Sequence, residues 1–213
     1  MDGNVMINHD SKFWDRLANF YSKRPVSNHD AYQHKLDVSC EYLDSESELF
    51  EFGCGTGSTA IYLAPHVKHI HAIDFSANML KIARTKAEAE GLNNINFEQA
   101  AINDIQIKNS SLDAVLAHSI LHLLINRDEA IKKIFALLKP GGIFISSTTC
   151  MGTRFNPLRF VLGIGSAFGL LPHVMFFSVE ELQVALTEAG FSIDYSWQAE
   201  GSNAVFFVAK KPE

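Results

Sequence analysis

The stretch "ELFEFGCGTGSTAIYLA", Glu48 to Ala64, passes from apolar residues through three glycines in five positions into a helix-like pattern. Glycine weakens strand and helix interiors alike. Gly53, Gly55 and Gly57 therefore mark a backbone that bends sharply and leaves room for something large to come close. The stretch predicts a short strand over "ELFEF", a tight turn, and a helix over "GSTAIYLAPH" that stops near Pro65.

Downstream, the same alternation continues. "HIHAID" reads as a strand ending in an acid, and "SANMLKIARTKAEAEG" as a helix with Ser76 as N-cap and Gly91 as its stop. "NINFEQA" and "LDAVLAHS" are further strands. "RDEAIKKIFALLKPGG" is a helix with early acids and late lysines, followed by the strand "IFISSTT". "SVEELQVALTEAGF" places Ser178 and Glu181 at capping-box spacing, and "SIDYSWQ" and "NAVFFVAKK" suit an antiparallel pair. The pattern predicts an α/β fold: a doubly wound, mostly parallel, seven-stranded Rossmann-like sheet whose last strand is antiparallel. Upstream, "SKFWDRLANFY" carries a stripe through Phe13, Leu17, Phe20 and Tyr21, and "HDAYQHKLDVSCEYL" a second through Tyr32, Leu36, Ser39, Cys40 and Leu43. Residues 1–45 thus read as an N-terminal helical cap and residues 46–213 as the sheet domain, with an apolar insertion at 151–177.

The 213 residues suit one α/β domain, and the net charge of −6 disfavours a dedicated nucleic-acid binder. No aromatic-plus-basic array for splaying RNA bases is present, so no nucleic-acid partner is expected. Cys40, Cys54 and Cys150 are odd in number and far apart, which reads as free thiols in a reducing compartment. "MDGNVMINHDSKFWD" has no basic start followed by an apolar run, so a cytoplasmic location is expected. Phe160–Phe177 lacks Asp, Glu, Lys and Arg, yet Gly163, Gly165, Gly169 and Pro172 argue against a transmembrane span. An apolar lid, or a surface for a greasy substrate or partner, is the expectation.

Ligands of such sheets sit at the carboxyl ends of the strands where strand order reverses. The first strand ends at the glycine turn. The second ends at Asp74, about twenty residues on, where an acid can accept from two ribose hydroxyls. The alternative role for Asp74 is to cap the helix that starts near Ser76. The turn departs from GxGxxG, because Ser58 stands where the third glycine belongs, and no Walker lysine follows. That favours a ligand whose middle is bulky without being multiply anionic.

"FEFGCGTG" followed by "HAIDFSANML" resembles the cofactor motifs of class I S-adenosylmethionine-dependent methyltransferases. "SSLDAVLAHSILHLL", "LLKPGGIFISST" and "SVEELQVALTEAGF" extend the resemblance over residues 45–210. It implies that S-adenosyl-L-methionine is the cofactor. Glu51 and the backbone of Gly53, Cys54, Gly55 and Gly57 would meet its methionine part, with Phe52 in the same stretch. Asp74 would hold the ribose, Phe75 and Met79 would flank the adenine beside Ser76, and Ala101 and Ile102 would line its edge. His118 and Ser119 would form the wall nearest the methyl donor. Many relatives carry an Asp where Ala101 stands; Asn103, Asp104 or a backbone carbonyl are the substitutes. Tyr21 would close over the methionine end or be a core position.

Methyl transfer from a sulfonium loses charge, so a closed, dry pocket holding the reacting atoms in line is favoured. A base is needed only if the acceptor's proton is hard to lose. The candidates are His118 and His122, which share a face if the chain turns helical after Ser119, with His173 as an outsider. Their HxxxH spacing lacks a third ligand, so no metal is expected. Acceptor choice is expected to lie in residues 1–45 and Met151–Phe177, whose composition predicts a small apolar or aromatic acceptor, lipid-like ones included, or a homodimer interface. Two other readings compete: a catalytically idle cofactor-binding subunit that scaffolds a partner, and a dinucleotide-dependent reductase.

Overall fold

The computed structural model describes residues 3–152, 162, 164–166 and 170–213. Two helices come first, α1 (Gly3–Lys23) and α2 (His29–Glu41). The alternating part follows as β1 (Glu48–Phe52), α3 (Ser58–Leu63), β2 (His69–Asp74), α4 (Ala77–Ala89), β3 (Ile95–Gln99), β4 (Leu112–His118), α5 (Arg127–Leu137), β5 (Leu138–Thr149), α6 (Val179–Glu188), β6 (Ser192–Gln198) and β7 (Ala204–Lys210). The strands form one sheet in the order β3-β2-β1-β4-β5-β7-β6. Parallel pairing runs from β3 to β5, and β7 lies antiparallel between β5 and β6.

Strand alternation sorts the side chains onto two faces. Phe50, Phe52, Val115, Phe144 and Phe207 face one way, beneath Ile131 and Ile134 of α5 and Leu182 and Leu186 of α6. Leu49, Ala114, Leu116, Ile145, Phe206 and Val208 face the other, against Val38 of α2, Ile61 of α3, and Leu80 and Ala83 of α4. Two dry cores thus hold β1 and β4 rigidly at the middle of the sheet, where strand order reverses.

Two local readings change. α5 ends at Leu137, short of the Pro-Gly-Gly expected to stop it, and Leu138 is already extended. Pro140 disfavours helical geometry at Lys139, whose ammonium instead pairs with Asp113 at 2.7 Å. On α1 Ala18 is buried, while Phe20, expected on the buried stripe, is 68% exposed. Most of the expected lid lies outside the described residues. Its end is described: the Met175 N–H donates to the His122 carbonyl at 2.7 Å, and Phe177 is buried against α5 and α6. Among the described residues no helix is long and apolar enough to cross a membrane.

The glycine turn has a steric explanation. Gly57 sits at φ +75°, and a Cβ there would lie 2.8 Å from the Ala83 Cβ on α4. Gly57→Ala is therefore expected to cost about 2–3 kcal/mol, from the left-handed strain plus the clash. Urea denaturation checks this against Gly55→Ala, which has the strain but meets no atom within 4 Å.

Candidate active site

β1 delivers Glu51 onto the α3 face of the sheet, where its side chain is buried. Gly57, the N-cap of α3, has no side chain to satisfy the helix's first N–H groups. The Ala60 backbone N–H lies where it favours the ionised form of the Glu51 carboxyl. The Glu51 Oε2 is buried without a hydrogen-bond partner among the described residues. Burial, and then the Asp74 charge, push this carboxyl up to about 8.

Asp74 ends β2 and ties two turns together. Its Oδ2 accepts from the Gly55 N–H at 2.9 Å and its Oδ1 from the Ser76 N–H at 2.8 Å. The turn is further fixed by the Cys54 N–H, which donates to the Ile73 carbonyl at 3.0 Å. Burial raises Asp74 above the ordinary carboxyl value, against the pull of its two backbone donors. Ser76 caps α4 by accepting from the Met79 N–H at 3.2 Å. Its hydroxyl donates to Asp15 of α1 at 2.6 Å, and the same Asp15 oxygen accepts from the Asn78 N–H at 3.0 Å. α1 is thereby pinned to the floor of the site.

A cleft of about 700 Å³ opens at the carboxyl ends of β1 and β4. Of the residues singled out from the sequence, it brings together Tyr21, Glu51, Gly53, Cys54, Gly55, His118 and Ser119. Asp74, Phe75, Ser76 and Met79 lie outside its walls, along the β2–α4 connection, with Met79 and Ser76 buried. Ile102 is buried in the core with Phe52, whose side chain points to the face opposite Glu51. The loop holding Ala101 and Ile102 is fixed from α5: the Lys133 ammonium donates to the carbonyls of Ile102, Asn103 and Ile105 at 2.7–3.2 Å.

His118 and His122 do not share a face. Ser119 adopts φ +56°, turning the chain out of the strand before a single 3-10 turn at Leu121–Leu123. Only His118 lines the cleft. His122 is beneath the end of the insertion, its Nδ1 buried without a partner among the described residues. Burial first, and the Lys35 charge second, pull His118 down to about 4, so its ring is neutral near pH 7. Its Nε2 is likewise buried and has no partner among the described residues.

The rest of the lining was expected only in part. Tyr32 and Lys35 of α2 fall within residues 1–45, where acceptor choice is expected, whereas Trp197 of β6 and the β6–β7 turn from Ala199 to Ser202 were not singled out. Lys35 stands three residues from Tyr32 and four from the buried Ser39, so a lysine on an otherwise buried helical face was the available signal.

The chemistry around Glu51 fits a cation. Its Oε2, without a partner among the described residues, is buried in the wall of a cleft that Gly55 also lines, and the space a Gly55 Cβ would take is open. Fold and cleft together define a Rossmann-like protein with a binding place at its topological switch. The family model of a methyltransferase domain matches residues 49–142. A demethylmenaquinone methyltransferase of Leptospira interrogans is 33% identical over 77% of this chain and 75% of its own length. A protein of Geobacillus named as a methyltransferase is 31% identical over 93% of this chain and 97% of its own. The crystal structure of YcgJ from Bacillus subtilis superposes with a TM-score of 0.70 at 16% identity, covering 85% of this chain and 99% of that one. The chain belongs to the class I S-adenosylmethionine-dependent methyltransferases, and its methyl donor is S-adenosylmethionine.

Glu51 yields a test with two opposite signs. Its folded value is raised above the unfolded one, so it favours folding at low pH and the benefit is lost as pH rises towards 8. Glu51→Gln is expected to raise the melting temperature of the donor-free protein at pH 8 by several degrees. A cation bound beside Glu51 favours its ionised form, so donor binding at pH 7 releases about one proton in the parent and close to none in the variant. Calorimetry in buffers of differing ionisation enthalpy reads that number.

Proposed function

We propose that this methyltransferase acts on a small apolar or aromatic molecule, which enters the cleft from the side of α2 and the β6–β7 turn. The observation that carries the reading is the lining of the cleft, which sets the glycine backbone and the Glu51 carboxyl beside the rings of Tyr21, Tyr32, Trp197 and His118. The relative from Leptospira interrogans is named for a quinone precursor, which is aromatic and apolar, and this supports an acceptor of that class.

In this reading Glu51 receives the ammonium of the donor's methionine part and Asp74 its ribose hydroxyls. A carboxylate has about four lone-pair sites, so Asp74 retains acceptor capacity beyond its two backbone bonds. Phe75, Met79, Ala101 and Ile102 are the proposed adenine surroundings. The bound donor supplies a methyl group activated on a sulfonium. The chain's own work is to hold the acceptor in line, exclude water, and present uncharged His118 beside the transferring group. His118, neutral near pH 7, accepts or donates a hydrogen bond without adding a positive charge next to the sulfonium.

Incubation with methyl-labelled S-adenosylmethionine and an extract of small molecules, followed by mass spectrometry, tests the reading. Label is expected in an apolar or aromatic metabolite. Label in protein or RNA alone contradicts it. With that acceptor, His118→Ala is expected to lower kcat by about tenfold or more. His122→Phe, away from the cleft, is expected to stay within about threefold of the parent.

A further inference from the structure

We propose that Lys35 and His118 form an oxyanion-binding acceptor subsite, and that the acceptor is a phenol or enol bound as its anion. The inference deepens the methyltransferase reading and rests on it. Lys35 reaches from α2 down to β5, where its ammonium donates to the Ser147 hydroxyl at 2.8 Å. Ser147 is the register partner of His118 on β4. The ammonium and the imidazole thus lie on one face of neighbouring strands. β1, with Glu51 and the glycine turn, is the next strand over. The pair lines the same cleft as Glu51 and the glycine turn.

Both groups lack partners that the free protein would need. Lys35 makes no ion pair with a carboxylate among the described residues, although it lines a cleft and is half-buried. An ammonium has three donors, and the Ser147 hydroxyl is the acceptor for one of them. The Nε2 of His118 is buried with no partner at all among the described residues. Unpaired buried polar groups are costly, and groups of this kind gain when a ligand atom completes them. One oxygen atom of an acceptor satisfies both: it takes the lysine's free donors, and the neutral imidazole shares the remaining direction. Burial also pulls Lys35 below the usual lysine range, so an anion beside it restores the stability of its charge.

Shape points to a ring carrying that oxygen. The rings of Tyr32, Trp197 and His118 all line the cleft that Lys35 enters, and His118 is held edge-on against Phe206 with ring centroids 6.2 Å apart. A flat acceptor with its oxygen on Lys35 meets aromatic walls. On binding, the hydroxyl proton passes to solvent and its electron pair stays on oxygen, where the ammonium offsets the charge. The bound anion is then the nucleophile, or is conjugated to the ring carbon that is.

4-Nitrophenol, whose phenolate absorbs in the visible, is the probe, added to the full chain saturated with S-adenosylhomocysteine so that no turnover occurs. Well below the dye's own pKa, the bound dye is expected to show the phenolate spectrum. 4-Nitroanisole, with the same ring and no ionisable proton, is expected to bind at least about tenfold more weakly. Lys35→Met is expected to lose the phenolate spectrum and at least about tenfold in dye affinity, and Lys35→Arg to restore both. The affinity for S-adenosylhomocysteine stays within about twofold throughout. The proposal is overturned if the parent protein binds the dye as neutral phenol, if it binds 4-nitroanisole as well as the dye, or if it fails to bind the dye while binding S-adenosylhomocysteine. An unchanged spectrum in Lys35→Met overturns it too. Failure to bind S-adenosylhomocysteine is a different result, which removes the methyltransferase reading itself.

Discussion

The carboxylate of Asp74 holds the site together. One oxygen fastens the Gly55 N–H and the other the Ser76 N–H, so a single side chain locks the turn after β1 to the turn after β2. The first turn is made of left-handed glycines, and the second opens α4, whose Asn78 and Met79 N–H groups are taken by Asp15 and Ser76. Two parallel strands bring them together: Phe52 of β1 pairs with Ile73 of β2, one residue short of Asp74. The two dry cores on either face keep those strands from sliding, since a slip of one residue would turn each side chain to the wrong face.

A binding site built this way carries unresolved charge. Glu51 is buried beside Asp74 with one oxygen unpartnered, an arrangement that opposes folding in the absence of a cation. A hydrophobic residue at 51 would avoid that cost but would leave the cleft without a carboxyl group to meet a cation. The same logic holds elsewhere in the cleft, where the Lys35 ammonium donates to the Ser147 hydroxyl and the neutral His118 ring leaves Nε2 without a partner among the described residues. Stability is given up at both places. On the proposed reading the first serves the donor and the second the acceptor.

Much of this was legible in the sequence where the signal is local. The glycine spacing, Asp74 at the end of the second strand and the Ser76 and Ser178 caps all depend on residues a few positions apart, and they stand as read. What escaped depends on long-range contact. Asp15 meets Ser76 and Asn78 across some sixty residues of chain, and that docking exposes Phe20 while burying Ala18. The β6–β7 turn joins the cleft only because β7 inserts between β5 and β6, a pairing that periodicity does not reveal. The expected partnership of His118 with His122 assumed a helix. Left-handed geometry at Ser119 turns the chain instead, and the two rings part.

Soaking a crystal of the protein with S-adenosylmethionine addresses the seat of the donor without intermediaries. The methionine end is expected against Glu51 and the Gly53–Gly57 backbone, with the ribose hydroxyls on Asp74. Density for the donor anywhere else, with Glu51 and Asp74 left untouched, would contradict the glycine turn and its two carboxylates as the place where the donor binds.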